Sequence, residues 1–403
     1  MERRKPIVFV ALSVLVLSAC AADVGDASAG AAGCADGDST GVTDDEIVLG
    51  NTNILSGNIA FIGEDANEGF LVPIEQLNEA GGVDGRQVRL ISYDDAYTPA
   101  KALDGTRRLV EQDNIFAWAG GVGTPTYLAV VPLLEEAEIP AITPFAPARS
   151  IGTMDHPLTY MTWANFIVEY ETTANYLVEN EGMGTTGGDV AFIRFDTEHG
   201  EDALQGAKNA LAKVDADVIL DIPTTPETTD YSGVALQVKN SGAEWIGVQL
   251  SSENGGNLLN AMKEIGYEPK MFTQSDYSDV SFVENFPDVA EGVYGALSTR
   301  IFEDPPNETL QQHMEDLEAA TGSEMTQWRA IGYQQGLLTA EALKRMEAPT
   351  RECLIEALQS IENFDTGIQA PVTFGPEERM GIDTVGVFQI QDGKVTIIKE
   401  FTE

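Results

Sequence analysis

Short apolar segments of strand length alternate with longer segments of helical pattern along most of this chain. The first series begins with a strand at residues 47–54, a helix at 66–80, a strand at 88–94 and a helix at 99–112. A second series of the same kind occupies residues 169–274. Because strands that are separated by a helix run parallel, this alternation predicts an α/β protein whose parallel sheets are covered by helices on both faces.

The chain is too long for a single unit of this kind. Its 403 residues exceed the roughly 250–300 residues at which one hydrophobic core stops growing, so we expect two lobes. After a strand at 294–300 the pattern predicts three helices, at 309–320, 325–345 and 351–361. Two alternating apolar runs flank Gln391-Asp392-Gly393, and the Asp-Gly pair between them predicts a hairpin.

One strand-helix-strand unit, residues 115–147, contains a Gly-rich turn and a Pro-rich turn. Parallel strands end at the same edge of a sheet, so the turns at 120–126 and 143–147 should stand side by side. Backbone amides at the helix start and the hydroxyls of Thr124 and Thr126 would then face one cleft, an arrangement that suits an anion. The purely structural alternative is that the glycines only permit a tight turn before a helix that begins with proline.

The N-terminus has the layout of an export signal. Basic residues at positions 3–5 precede an apolar run at 7–17, which is shorter than the ~20 residues that a bilayer requires. The run ends at Leu17-Ser18-Ala19-Cys20, which resembles a bacterial lipobox and predicts removal of residues 1–19 and lipidation of Cys20. The alternative is an ordinary secretory signal in which Cys20 is incidental. Residues 20–43 are small and polar and are predicted to form a flexible tether, so we expect a lipid-anchored, extracytoplasmic protein.

The formal net charge of −42 excludes nucleic acid and anionic membrane surfaces as electrostatic partners. The acids are scattered along the chain rather than gathered in a tail, as in Asp94, Asp95, Glu135, Glu136, Asp215, Asp217, Glu377 and Glu378. We interpret this acidic surface as an adaptation to a salty medium, where repulsion between like charges is screened. Of the two cysteines other than Cys20, Cys34 lies in the tether and Cys353 in a predicted helix, and the sequence leaves open whether they form a disulfide.

Several motifs resemble the type I periplasmic solute-binding proteins of branched-chain amino acid ABC transporters. The matching motifs are Leu55-Ser56-Gly57 followed by Gly63, Asn78-Glu79-Ala80-Gly81-Gly82-Val83 with Gly85 and Arg86, Tyr93-Asp94-Asp95 with Pro99, Gly123-Thr124-Pro125-Thr126, Ile142-Thr143-Pro144, and Phe374-Gly375-Pro376. The resemblance implies two Rossmann-like lobes that close on a ligand by hinge motion. It implies three crossovers, near 161–165, 297–300 and 372–375. Lobe one would comprise 44–163 plus 298–372, and lobe two 164–297 plus 373–403.

The resemblance also implies the ligand contacts in lobe one. In such proteins the turn that matches Gly123, Thr124 and Thr126 holds the ligand carboxylate. The next turn, Phe145-Ala146-Pro147, usually offers a hydroxyl where this chain has proline, so we expect Phe145 to supply an apolar wall instead. Ile62, in the turn at 55–63, is a further candidate. None of the cleft turns of lobe one contains a basic residue.

In lobe two the family places an aromatic residue before a glycine, and an acid at a later loop that meets the ligand ammonium. Here these positions hold His199, before Gly200, and Ser275, with Asp276 directly after it. We expect Asp276 to pair with the ammonium if the loop is shifted by one residue, and His199 to stack or hydrogen-bond. A solvated loop histidine is the alternative for His199. The acids around it are attributed to the helix dipole rather than to a metal site.

The resemblance implies a substrate-binding protein of an ABC importer, with no enzymatic activity and no cofactor. Its ligand would be a small carboxylate, a branched-chain or other apolar amino acid, and its partners the permease and ATPase subunits. The alternatives are an aromatic or short aliphatic acid as ligand, a ligand-sensing receptor component, or a hydrolase. The last rests on Gly37-Asp38-Ser39-Thr40-Gly41, which fits G-x-S-x-G but lacks the strand that this motif requires before it.

If the acidic surface is an adaptation to salt, the melting temperature will rise when NaCl is increased from about 0.1 M to about 2 M, because screening weakens repulsion between carboxylates. Differential scanning fluorimetry measures this change. Sucrose serves as the control, because it favours the folded state without screening charge. A melting temperature that stays constant or falls with NaCl would contradict the interpretation.

Overall fold

The structure is a computed structural model that describes residues 33–185 and 189–401. The predicted signal at 1–19, the lipidated Cys20 and the first part of the tether lie outside the described residues. Within the described part, no helix has both the length and the apolar character needed to cross a membrane.

The first sheet has five strands, all parallel, in the order β2-β1-β3-β4-β5. Helices follow its first three strands, as the alternating pattern predicts. The elements are β1 (Glu46–Asn53), α1 (Ala60–Glu79), β2 (Gln87–Asp94), α2 (Pro99–Glu111), β3 (Ala117–Ala119), α3 (Thr124–Glu136), β4 (Ala141–Ile142) and β5 (Thr159–Tyr160). The two-residue strand β5 was not predicted, because it is too short to give an alternating pattern.

The second sheet has seven strands in the order β12-β11-β10-β9-β8-β6-β7. The strands from β7 to β10 are parallel, and β11 and β12 add an antiparallel edge. The elements are α4 (Phe166–Glu181), β6 (Val190–Phe195), α5 (Glu198–Ala212), β7 (Val218–Thr224), α6 (Ser232–Ser241), β8 (Trp245–Gln249), α7 (Ser252–Glu264), β9 (Lys270–Thr273), α8 (Val280–Asn285), β10 (Tyr294–Leu297), then β11 (Gly386–Gln391) and β12 (Lys394–Lys399).

The predicted hairpin is confirmed. Gln391 pairs with Lys394, and the two residues between them, Asp392 and Gly393, both have positive φ angles, 52° and 69°. Such angles at both central positions match the right-handed twist of the flanking strands.

Three helices between β10 and β11 return to the first sheet. They are α9 (Glu308–Thr321), α10 (Gln327–Arg345) and α11 (Arg351–Gln359). Helix α10 lies directly on α1, where a Cβ at Gly332 would clash with the carbonyl oxygen of Ala66. Phe374 and Ile382 still pack in the core of the first sheet, so the chain leaves that core later than the predicted crossover at 372–375. The lobe boundaries themselves stay a prediction.

The end of the predicted tether is not flexible. Cys34 is disulfide-bonded to Cys353, with the two Cα atoms 4.8 Å apart, and the Arg351 guanidinium donates to the Asp38 carboxylate at 2.6 Å. That guanidinium is buried and also donates to the carbonyl oxygens of Ile115 and Phe116, so it ties this segment to the first sheet. The prediction for residues 34–43 was therefore wrong. The G-x-S-x-G match lies in this segment, preceded by a short 3₁₀ helix rather than a strand.

Replacing Cys34 and Cys353 together by serine should lower the free energy of unfolding by about 2–5 kcal/mol, because the bond closes a long loop in the unfolded chain. Urea unfolding with and without dithiothreitol measures this effect. The wild type should be destabilised by the reductant and the double variant should not respond to it. Equal free energies of unfolding of the wild type and the double variant without dithiothreitol would contradict a stabilising role of the disulfide.

Candidate ligand-binding site

The two lobes contact each other at two places, on either side of the predicted ligand cleft. On one flank, the Arg149 guanidinium, after β4, lies 3.4 Å from the Asp202 carboxylate on α5. On the other flank, the Ser278 hydroxyl, after β9, donates to the side-chain oxygen of Gln327 at the start of α10, at 2.8 Å. Loops of both lobes therefore border one shared space.

The two turns of the first lobe stand side by side, as predicted. The Phe145 N–H donates to the Gly121 carbonyl at 2.9 Å, and the Gly123 N–H donates to the Phe145 carbonyl at 3.0 Å. Gly123 has φ 136° and precedes α3, and Pro125 has no N–H. The amides of Thr124 and Thr126 in the first helical turn consequently have no partner within the helix. The Gly123 amide is used between the turns and is not left for a ligand.

The hydroxyls of the two threonines differ in their contacts. Thr126 Oγ1 donates to the Gly123 carbonyl at 2.9 Å and so stabilises the turn, and the role of Thr126 in ligand binding stays a prediction. Thr124 is buried, and its hydroxyl makes no hydrogen bond within residues 33–185 and 189–401. Thr124 therefore supplies both a free amide and a free hydroxyl at the start of α3.

Phe145 forms an aromatic wall with two tryptophans. Its ring centre lies 4.7 Å from that of Trp163 and 5.8 Å from that of Trp328, both edge to face. Ala146 and Pro147 are buried behind it. The sequence interpretation of Phe145 as an apolar wall fits this arrangement, but it missed both tryptophans. They lie on a crossover and on α10, far from Phe145 in sequence.

Tyr97 is a cleft residue that the sequence did not single out. It follows Ala96, and both residues have left-handed backbone angles, with φ 47° and 57°. Its side chain is 43% exposed, and a side chain at Gly123 would come within 3.3 Å of its ring. Desolvation of its hydroxyl, and then the nearby carboxylates of Asp95 and Asp276, raise the pKa of Tyr97 to about 12.

In the second lobe the two predicted ligand residues Ser275 and Asp276 differ in their contacts. The N–H and hydroxyl of Ser275 both donate to the Glu169 carboxylate, at 3.2 Å and 2.9 Å. Asp276 keeps one buried carboxylate oxygen without a hydrogen bond among the described residues. Burial, and then the nearby carboxylates of Glu169 and Asp279, raise the pKa of Asp276 to about 7.

His199 lies in the first turn of α5, with its ring centre 5.3 Å from that of Phe166. Burial lowers its pKa, and the neighbouring Glu198 opposes this only in part. It is therefore a neutral aromatic surface at pH 7 rather than a cation for a carboxylate. Ile62 is half-buried in the first turn of α1, and its role stays a prediction. No group of His, Cys, Asp or Glu in the described part of the chain is placed to hold a metal ion.

Replacing Thr126 by valine keeps the side-chain shape and removes its bond to Gly123, so we expect the unliganded protein to lose about 1 kcal/mol of stability. Thr124→Val is the matched control, since it removes a hydroxyl without an internal partner and should change stability by less than about 0.5 kcal/mol. Urea unfolding of both variants provides the comparison. The distinction fails if the two variants lose equal stability.

A family model described as periplasmic binding protein matches residues 46–394. The leucine-, isoleucine-, valine-, threonine- and alanine-binding protein of Pseudomonas aeruginosa is 22% identical over 266 residues, which are 66% of this chain and 70% of that protein. Alignments with other curated relatives cover as little as 57% of the relative's length.

Two solved structures resemble the whole architecture. The fatty acid ABC transporter substrate-binding protein from Thermomonospora curvata has a TM-score of 0.79 and 20% identity, over 90% of this chain and 94% of that chain. An ABC transporter solute-binding protein from R. palustris in complex with 4-hydroxybenzoate has a TM-score of 0.76 and 21% identity, over 89% of this chain and 96% of that chain. At these identities the similarity shows a shared fold.

Proposed function

Because this chain belongs to the periplasmic binding protein family, we propose that it captures a small carboxylate ligand between its two lobes and delivers it to an ABC importer. Membership confirms that the chain is a binding protein and not an enzyme. The likeness to solved structures confirms the type I periplasmic binding protein fold that the sequence led us to expect. In this proposal the protein is extracytoplasmic and anchored through a lipid on Cys20, and its partners are the permease and ATPase subunits.

The start of α3 carries the proposal. Two amides without helical partners and the free hydroxyl of Thr124 converge there, and the positive end of the helix dipole adds to them. The first-lobe turns at 55–63, 97–99, 120–126 and 145–147 contain no basic residue, and Arg149 on the flank is paired with Asp202, so the charge of the ligand would be met by neutral donors. Such a set suits a carboxylate.

The opposite lobe favours an amino acid as the ligand. Asp276 brings a carboxylate with an unpartnered oxygen to the cleft, and an α-ammonium group would satisfy it. The aromatic wall of Phe145, Trp163 and Trp328 favours an apolar side chain. The relative from Pseudomonas aeruginosa, named for binding leucine and similar amino acids, supports this choice.

A non-amino-acid carboxylate is the second candidate. Pro147 and Phe145 occupy the turn that usually offers a hydroxyl, so a polar contact to an amino acid is absent there. The likeness to one solute-binding protein named for a fatty acid transporter, and to another in complex with 4-hydroxybenzoate, supports this alternative. Under it the ligand would be an aromatic or short aliphatic acid.

L-Leucine should raise the melting temperature at pH 8, and 4-methylpentanoate should raise it less, since the two differ only in the ammonium group. In Thr124→Val the binding free energy should weaken by roughly 1–3 kcal/mol through loss of a charge-assisted hydrogen bond. A thermal-shift titration with both compounds, isoleucine and 4-hydroxybenzoate measures these effects.

Asp276→Asn is the control for the ammonium contact. It should reduce the response to leucine and leave that to 4-methylpentanoate unchanged. A response to 4-methylpentanoate or 4-hydroxybenzoate without one to leucine would favour the second candidate. The absence of a response to any carboxylate in a wider panel would contradict the proposal itself.

A further inference from the structure

Glu169 is a buried carboxyl group next to the ligand cleft. It lies in the first turn of α4, directly after the first crossover, and its side chain is only 3% exposed. Three hydrogen bonds reach it, from the N–H of Ser275 at 3.2 Å, the hydroxyl of Ser275 at 2.9 Å and the hydroxyl of Ser298 at 3.2 Å. Ser298 lies on the second crossover, so one carboxylate joins two crossovers to the turn that carries Asp276.

The contacts of this turn continue into the other lobe. The Ser275 carbonyl accepts a hydrogen bond from the Gln327 side-chain amide at 3.3 Å, and Ser278 donates to the same side chain at 2.8 Å. A polar chain therefore runs from Glu169 through Ser275 to the start of α10. Any change at Glu169 acts on the turn that links the lobes and presents Asp276.

The surroundings of Glu169 supply no positive charge within residues 33–185 and 189–401. The groups that the structure places around Glu169 and Asp276 are neutral or acidic on every packed element: the hydroxyls of Ser275 and Ser298, the amides of Gln274 and Gln327, the carboxyl of Asp279, and the phenols of Tyr97, Tyr170 and Tyr277. Two carboxyl groups consequently share a buried region in which each disfavours ionisation of the other.

We propose that Glu169 is a positioning residue of the ligand site, which holds the turn at residues 275–278 and sets the charge of Asp276, so that capture of an ammonium group depends on pH near neutrality. This inference rests on the proposed function. It assigns Glu169 no direct contact with the ligand.

The direction of the effect depends on both carboxyl groups. Burial raises the pKa of Glu169 to about 7, although its hydrogen bonds oppose the shift, and the Glu169 charge contributes to the raised pKa of Asp276. As pH falls through about 7, Asp276 takes up a proton and no longer attracts an ammonium. Removing the charge of Glu169 should keep Asp276 ionised to lower pH.

Glu169→Gln tests this inference with L-leucine as the probe, by calorimetric titration between about pH 5.5 and pH 8.5. The wild type should lose affinity as pH falls through about 7, and the midpoint of the variant should lie about one pH unit lower. Ser298→Ala removes a hydrogen bond that lowers the pKa of Glu169 but keeps the carboxyl group, so its midpoint should lie closer to that of the wild type than to that of Glu169→Gln. A variant curve parallel to the wild type, with the same midpoint, would show a purely structural role and overturn the inference.

A second measurement needs no ligand, and so separates this inference from the proposed function. Both carboxyl groups have pKa values above their ordinary 4.5 and 3.8, so their contribution to stability falls as pH rises towards about 7 and above. At pH 8, Asp276→Asn should therefore raise the melting temperature more in the wild type than in Glu169→Gln, and at pH 5 the two gains should agree. Equal gains at pH 8 would overturn the coupling. If Glu169 and Asp276 are coupled in this way but leucine does not bind, only the proposal of an amino acid as the ligand is rejected.

Discussion

The hydrogen bonds between the turns after β3 and β4 determine what the cleft can do. The Gly123 amide and the Phe145 carbonyl satisfy each other, and the Gly121 carbonyl accepts from the Phe145 amide. This pairing fixes the start of α3 against the next turn, and it leaves the amides of Thr124 and Thr126 unpaired. Buried amides require a hydrogen-bond partner, so these two N–H groups are already in place to bind an acceptor oxygen of a ligand.

The two lobes divide the chemistry of the cleft between them. The first lobe offers donors without charge, and the second offers the carboxylate of Asp276 with Glu169 behind it. A carboxylate placed near Asp276 would be repelled, and an ammonium placed at the start of α3 would meet the wrong end of a helix dipole. The arrangement therefore favours a ligand with separated charges in one orientation, with its apolar part against Phe145 and Trp328.

Features that depend on local pattern could be predicted from the sequence, and features that depend on tertiary contact could not. Alternation of apolar segments predicted both sheets, and an Asp-Gly pair predicted the hairpin. The segment at 34–43 was misjudged because its order comes from a disulfide and from the buried guanidinium of Arg351. The sequence did not single out Glu169, an acid in the first turn of a helix, and the left-handed turn that presents Tyr97 has no glycine to indicate it. The burial of Glu169 and the exposure of Tyr97 depend on tertiary contacts and are seen only in the structure.

Two of the direct contacts between the lobes each add little net free energy to closure of the cleft. The Arg149 side chain is about half exposed, so its ion pair with Asp202 adds little to stability. The hydrogen bond between Ser278 and Gln327 is buried, but it exchanges with bonds that water would make in an open form. A ligand that binds only the closed form can then shift the equilibrium by its own contacts with both lobes. In the proposed binding mode an amino acid would do so, with its carboxylate at the start of α3 and its ammonium at Asp276.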